Sequence, residues 1–236
     1  MKSPQSPSQF SLGLNRKSLP LIAVFAALQA IVAVIPFSMT IGVSGAITLG
    51  VVTAPLFGLL LGPAAGFSAV AVGSLVGLFL NPSGAIFGAL TILPPALAGL
   101  GTGCVKINRG YIPATVMLIS VAAFYMHPIA REALFYPWLH IIALLLAFSP
   151  LSKLASSSIA APEFKKNAFG VGFAALVGTL TDHAFGSAMG IWYFSLPAAV
   201  WNLIMYVYPV ERIVAVILVV AIGVPVYRRL RATNMI

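Results

Sequence analysis

From residue 19 onward the chain is a series of long apolar runs separated by short polar breaks. A helix needs about 20 mostly apolar residues to cross a bilayer, and short ones need ~17. The runs fall at roughly 19–37, 45–61, 64–80, 85–104, 112–127, 137–151, 168–189 and 210–227. Gly62 and Pro63 divide the second run from the third with no polar loop, so that pair reads as two short helices or a re-entrant hairpin. Asn81 to Gly84 and Ile107 to Gly110 are turn signals. The pattern predicts an all-α integral membrane protein, a bundle of six to eight transmembrane helices forming one domain over residues 19–231. Residues 1–18, rich in Ser, Pro and Gln, read as a disordered cytoplasmic tail. The first apolar run lacks a small-residue cleavage site before polar sequence, which argues against a cleaved signal peptide.

The placement of charge assigns sides. Eleven of the 13 Lys and Arg residues lie in four clusters: Lys2/Arg16/Lys17, Lys106/Arg109, Lys153/Lys165/Lys166 and Arg228/Arg229/Arg231. Cytoplasmic loops retain Lys and Arg. Segments 105–111, 152–167 and 228–236 are therefore expected inside, with both termini. Segments 81–84, 128–136 and 190–209 are expected outside, where Arg131 is the exception. Removing a helical hairpin leaves this sidedness unchanged. Composition agrees: 60% of residues are hydrophobic and 7% charged, against about 25% charged in soluble domains. The net charge of +9 follows from the loops and does not call for a nucleic-acid partner. The reading is a multi-pass protein of the cell membrane. Cys104 is the single cysteine and reads as a packed, inert thiol.

Small residues recur four apart at Gly58/Gly62, Gly62/Gly66, Gly73/Gly77, Gly84/Gly88, Gly99/Gly103 and Gly186/Gly190. Such spacing lets helix backbones approach closely in lipid. The acidic residues are Glu132, Glu163, Asp182 and Glu211. Glu163 beside Lys165 and Lys166 reads as solvated. An ionisable group at membrane depth is costly, which makes Asp182 and His183, inside an apolar run, the leading candidates for function. The alternative is that Asp182 pins a neighbouring helix through Arg131 or Arg212. Glu211 and Arg212 open the last run. Glu211 reads either as a helix N-terminal acid favoured by the dipole or, with Arg212, as facing a ligand or pairing with Asp182. His127 and Arg131 mark the outer end of the fifth run, and Asn81 the turn after the third. His140, in the sixth run, reads as a packing residue.

Trp138, Trp192 and Trp201 all fall on the expected outer side, with Asn202 beside Trp201 and several Tyr and Phe nearby. An interfacial aromatic belt would populate both faces. The asymmetry points to an outward pocket of flat rings and a few polar groups, suited to a planar or heterocyclic solute. No phosphate loop of the G-x-x-x-x-G-K type, H-E-x-x-H or G-x-S-x-G occurs. A catalytic role, a cofactor and a metal are not expected.

The first run holds Ala23/Ala27 and Ala26/Ala30, two overlapping A-x-x-x-A spacings. With the stretch from Ile47 through Gly62-Pro63 to Gly66 and the ending Pro209 to Arg229, this layout resembles the substrate-binding (S) components of energy-coupling factor (ECF) transporters, which capture vitamins. The resemblance covers roughly 19–104 and 168–231, and 112–151 looks like an added hairpin on a family layout of six spans. It implies that the alanine stripe docks on a transmembrane coupling subunit driven by two cytoplasmic ATPases. The solute would be captured from outside, and the candidate contacts are Asp182, His183, Trp192, Trp201, Asn202, Glu211, Arg212, Asn81, His127 and Arg131. Lys2 stands where the family's nickel and cobalt members carry a His, which disfavours a metal solute. Two other readings stand beside this one: an intramembrane enzyme built on Asp182, His183, His127 and Glu132, and a structural subunit of a membrane complex.

Overall fold

A computed structural model of the chain describes residues 19–35 and 49–233. The expected tail at 1–18 and the edges of the first two runs lie outside the described residues. Among the described residues nine α-helices follow in order: α1 (Leu19–Val34), α2 (Gly50–Leu61), α3 (Pro63–Leu80), α4 (Leu93–Lys106), α5 (Tyr111–Met126), α6 (Trp138–Phe148), α7 (Pro150–Ile159), α8 (Phe164–Phe194) and α9 (Ala198–Ala232). Four of these segments are long and apolar enough to cross a membrane: α3, the stretch Gly88–Lys106 that includes α4, α8 and α9. A fifth span forms if α6 and α7, bent by 76° at Ser149, count as one. α1, α2 and α5 are shorter apolar helices. The protein is thus an all-α, multi-pass membrane bundle.

The sharp joints have local causes. Gly62 adopts φ +86 between α2 and α3, a conformation open to glycine, and Pro63 starts α3 where its missing N–H costs nothing. Ser149 caps α7 by accepting from Leu151 N, and Pro150 follows at the first helical position. α7 occupies residues read as a cytoplasmic loop. The outer loop expected at 190–209 is also mostly helix. Only Ser195 to Pro197 separates α8 from α9, with Ser195 in the left-handed region at φ +47. Glu211 therefore lies well inside α9, and its reading as a helix N-terminal acid does not hold.

α8 is the central post and touches α2, α4, α5, α6, α7 and α9. Glycines let backbones meet. A Cβ on Gly66 would stand 2.7 Å from Gly58 Cα, and one on Gly58 would overlap the Gly99 carbonyl. Gly178 of α8 is equally closed by Thr102 and Ala98 of α4. On α3, Gly73 and Gly77 receive Ala26, Gln29 and Ala33 of α1. The Gly84/Gly88 pair is different: it lies in short 3-10 turns, with nothing within 4 Å of either position. It forms no packing face.

The alanine stripe of α1 is divided by this packing. Ala26 and Ala30 are each 6% exposed, pressed on the α3 glycines, and are not available as a docking face. Ala23 and Ala27 are exposed. Gln29 is buried and accepts a 2.7 Å hydrogen bond from Thr53 Oγ1, tying α1 to α2.

The bundle has two chemically distinct ends. At one, Lys106 Nζ donates to the Leu60 carbonyl at 3.3 Å, Ser156 Oγ donates to the Lys106 carbonyl at 2.9 Å, and Arg231 donates to the Ala160 carbonyl. This basic end gathers the close of α4, α7 and α9 with the start of α8. At the other end, Trp192 Nε1 donates to the Ala123 carbonyl at 2.9 Å and Phe87 packs against Tyr193 and Phe194.

Gly58→Val is expected to abolish a monodisperse detergent-solubilised protein, whereas Gly84→Ala should leave the size-exclusion profile unchanged.

Candidate functional site

Toward the aromatic end, α6, α8 and α9 meet around polar side chains spaced four apart. α8 presents Thr179, His183 and Ser187, with Asp182 beside them; α9 presents Tyr208 and Arg212; Tyr136 and His140 enter from the start of α6. On α8 and α9 that spacing places each set on one face of its helix, while Tyr136 sits in the turn just ahead of α6. The convergence follows from sequence periodicity once the helices are packed.

Arg212 Nη1 lies 3.1 Å from Asp182 Oδ2 and donates to Thr179 Oγ1 at 3.2 Å. The two side chains are only 9% and 14% exposed. Of the two partners left open for Asp182, the structure selects Arg212; Arg131 is exposed on the 3-10 turn Pro128–Glu132. Arg212 Nε is buried without a hydrogen-bond partner in the protein. Buried donors are seldom left unpaired.

Next to the ion pair, His140 Nε2 and His183 Nδ1 are 2.9 Å apart, with ring planes 2° apart and centroids at 5.1 Å. The two imidazoles therefore lie side by side in one plane, one nitrogen donating and the other accepting. Tyr208 lies across this plate, 4.6 Å from His183 and 4.9 Å from His140, tilted by 21° and 22°. Its hydroxyl donates to the Tyr136 carbonyl at 3.0 Å and accepts from Leu139 N at 3.2 Å. Tyr136 and Ser187 hydroxyls are 2.7 Å apart, and Ser187 Oγ also donates to the His183 carbonyl at 2.6 Å. Tyr136 stacks on Phe124 at 4.9 Å and meets Trp201 edge to face at 5.0 Å. His140 is packed, as read from the sequence, but it packs as half of the plate.

The other candidates separate from this core. Trp192 and His127 meet edge to face at 4.9 Å on the bundle's rim. Asn202 is exposed and donates to the Glu132 carbonyl at 3.1 Å. Asn81 accepts from Ser83 Oγ in the turn after α3. Glu211 takes part in neither ion pair among the described residues. The structure thus brings together Asp182, His183, Arg212 and, through Tyr136, Trp201, and leaves Trp192, His127, Asn202, Asn81 and Arg131 outside. It adds Tyr136, Tyr208, Thr179 and Ser187. The rings fill the space themselves: a cavity of about 10 Å³ remains beside Phe124, Tyr136, His140 and Ser187, room for about one water. Among the described residues no three His, Cys, Asp or Glu side chains come together as metal ligands.

The family model of the ECF-type riboflavin transporter S component matches residues 13–185. The chain belongs to this family. The match takes in α1 to α7 and most of α8, including the segment 112–151 that the sequence reading set apart as an added hairpin. It stops before α9, so Asp182 and His183 of this S component lie inside the matched range and Tyr208 and Arg212 beyond it. An uncharacterized protein of Methanocaldococcus jannaschii is 32% identical over 161 residues, 68% of this chain and 54% of that protein. The chain thus spans about half the length of that relative. No solved structure matches it.

Arg212→Leu leaves a buried carboxylate without its counter-charge and is expected to destabilise the S component by about 3–5 kcal/mol, while the double change Asp182→Leu with Arg212→Leu recovers most of that loss. Thermal unfolding in detergent of the two single variants and the double variant measures this.

Proposed function

We propose that this S component is the solute-capture subunit of an ECF-type importer, and that its solute is a flavin such as riboflavin. The observation that carries the reading is the coplanar His140–His183 plate beneath Tyr208, inside a chain whose family model is described for riboflavin. Two hydrogen-bonded imidazoles make a flat surface two rings wide, which suits a fused heterocycle better than a sugar or an aliphatic acid. Offset stacking of aromatic rings contributes about 0.5–1.5 kcal/mol per pair beyond area burial. The unpartnered Arg212 Nε supplies a donor for a ring carbonyl, and Asp182 holds the guanidinium in place.

A ring system does not fit in about 10 Å³, so capture requires Tyr208 to leave the plate and the solute to take its position. Pro209 follows Tyr208 directly and removes one helical hydrogen bond of α9. That gives α9 a place to bend without breaking a bond it already has. Transport would then need the coupling subunit and two ATPases that the family resemblance implies. On this reading the basic end faces the cytoplasm and Ala23 and Ala27 form the docking face.

Titrating riboflavin into the detergent-solubilised protein should quench fluorescence from Trp201, which packs on Tyr136. His183→Ala should weaken binding by about ten-fold or more, the loss of roughly 1.4 kcal/mol of stacking and contact. Undiminished binding by His183→Ala, or no quenching in the unaltered protein, would remove the flavin site. Ala27→Leu should leave riboflavin binding intact and abolish uptake by cells that supply the coupling subunit and ATPases. Loss of binding as well would show Ala27 to be internal packing.

A further inference from the structure

At the basic end, α8 and α9 part to form a groove of about 380 Å³, lined by Phe164, Val220, Ala221, Val224, Pro225 and Arg228. This lies within the ~300–1,000 Å³ typical of small-ligand sites. Phe164, the first residue of α8, stands 61% exposed at one wall. On the other wall Pro225 interrupts α9. Having no N–H, it cannot close the helical bond to the Ala221 carbonyl.

Five of the six lining residues are apolar, and the sixth is Arg228. Its Nη2 donates to the Pro162 carbonyl at 3.0 Å, which fixes the guanidinium at the groove's end. The remaining N–H groups of its five-donor fork stay available. Neither of the two ion pairs among the described residues includes Arg228. The surroundings do not neutralise it. Lys106, Arg109, Lys153, Lys165, Lys166, Arg229 and Arg231 share this end with one acid, Glu163, which Lys166 holds at 3.3 Å.

An occupant must therefore be hydrocarbon along α9 and negative at Arg228. A soluble anion meets only the second condition and an apolar helix only the first, while a zwitterionic lipid brings its phosphate together with an ammonium that the surrounding cations repel. Basic pockets between transmembrane helices commonly take anionic headgroups. We propose that the α8–α9 groove is a specific site for an anionic phospholipid, with an acyl chain against Val220, Ala221 and Val224 and the phosphate on Arg228. The site is separate from the ring cluster. Arg228 lies sixteen residues beyond Arg212 on α9, about 24 Å along the helix, so the lipid braces the far half of α9 and leaves the plate untouched.

Native mass spectrometry of the full chain, released from micelles holding equal phosphatidylglycerol and phosphatidylcholine, tests this. The unaltered protein should retain phosphatidylglycerol about five-fold over phosphatidylcholine. Arg228→Gln should bring the ratio near one. Ala221→Trp, which fills the groove, should lose the retained lipid while riboflavin quenching is unchanged. Lys153→Gln removes an equal charge on α7, away from the groove, and should keep the preference. Equal retention of both lipids by the unaltered protein overturns the site. So does a loss in Lys153→Gln as large as in Arg228→Gln, which would mean general attraction to charge. Displacement of the lipid by the purified coupling subunit would make the groove a protein interface instead.

Discussion

Close contact between glycine backbones is the constraint on which this bundle rests. In hydrocarbon, burying another apolar side chain gains little, because lipid tails are equally apolar, so helices hold together by van der Waals fit and hydrogen bonds. Gly58 and Gly66, packed on each other and on Gly99, leave no room for a single added carbon, and Gly178 repeats the arrangement between α4 and α8. These contacts fix α2, α3, α4 and α8 relative to one another. They also allow α2, only 12 residues long, to remain packed within the bundle.

The frame set by those glycines determines where the costly polar groups can go. α8 carries its aspartate on the side that meets α9, and α9 answers with Arg212. Burying the pair costs desolvation, and it is the alignment of Thr179 and the mutual attraction that offset this cost. Once α9 is held there, Tyr208 is placed one turn before Arg212 and falls across the two histidines. Ion pair and ring cluster are thus one assembly, set by the register of α9 on α8.

Much of the architecture was legible in the apolar runs, because the length needed to cross lipid is a strong filter. The helical character of 64–80, 112–127 and 168–189 follows directly from it. What escaped was the extent of the last two helices. Trp192, Tyr193, Trp201 and Asn202 look like loop residues by polarity, yet interfacial residues are compatible with helix as well, and hydropathy alone cannot place the turn at Ser195. The bend at Ser149 was hidden for a similar reason: α7 is rich in Ser and carries Lys153, which reads as loop until the Ser149 cap and Pro150 are recognised as a helix start. Asp182 and His183 stand out in the sequence through their cost in lipid, and Arg212 as one of the two cations open to Asp182 as a partner. Tyr208 and Tyr136 stand in the sequence among many outer-side aromatics; Tyr208 lies four residues before Arg212, but Tyr136 sits in the turn ahead of α6, and only the packed helices single the two out.

The two faces of α1 differ in a way that has a mechanical consequence. Its rear is keyed into α3 at Gly73 and Gly77 and latched to α2 by Gln29, while Ala23 and Ala27 are left smooth on the front. A load applied to that front is backed by close contact on the opposite face of the helix. It passes through the keyed contacts into α3, and from there into the glycine-locked centre. The bundle would answer such a push by rocking as a rigid body, not by peeling one helix from the rest.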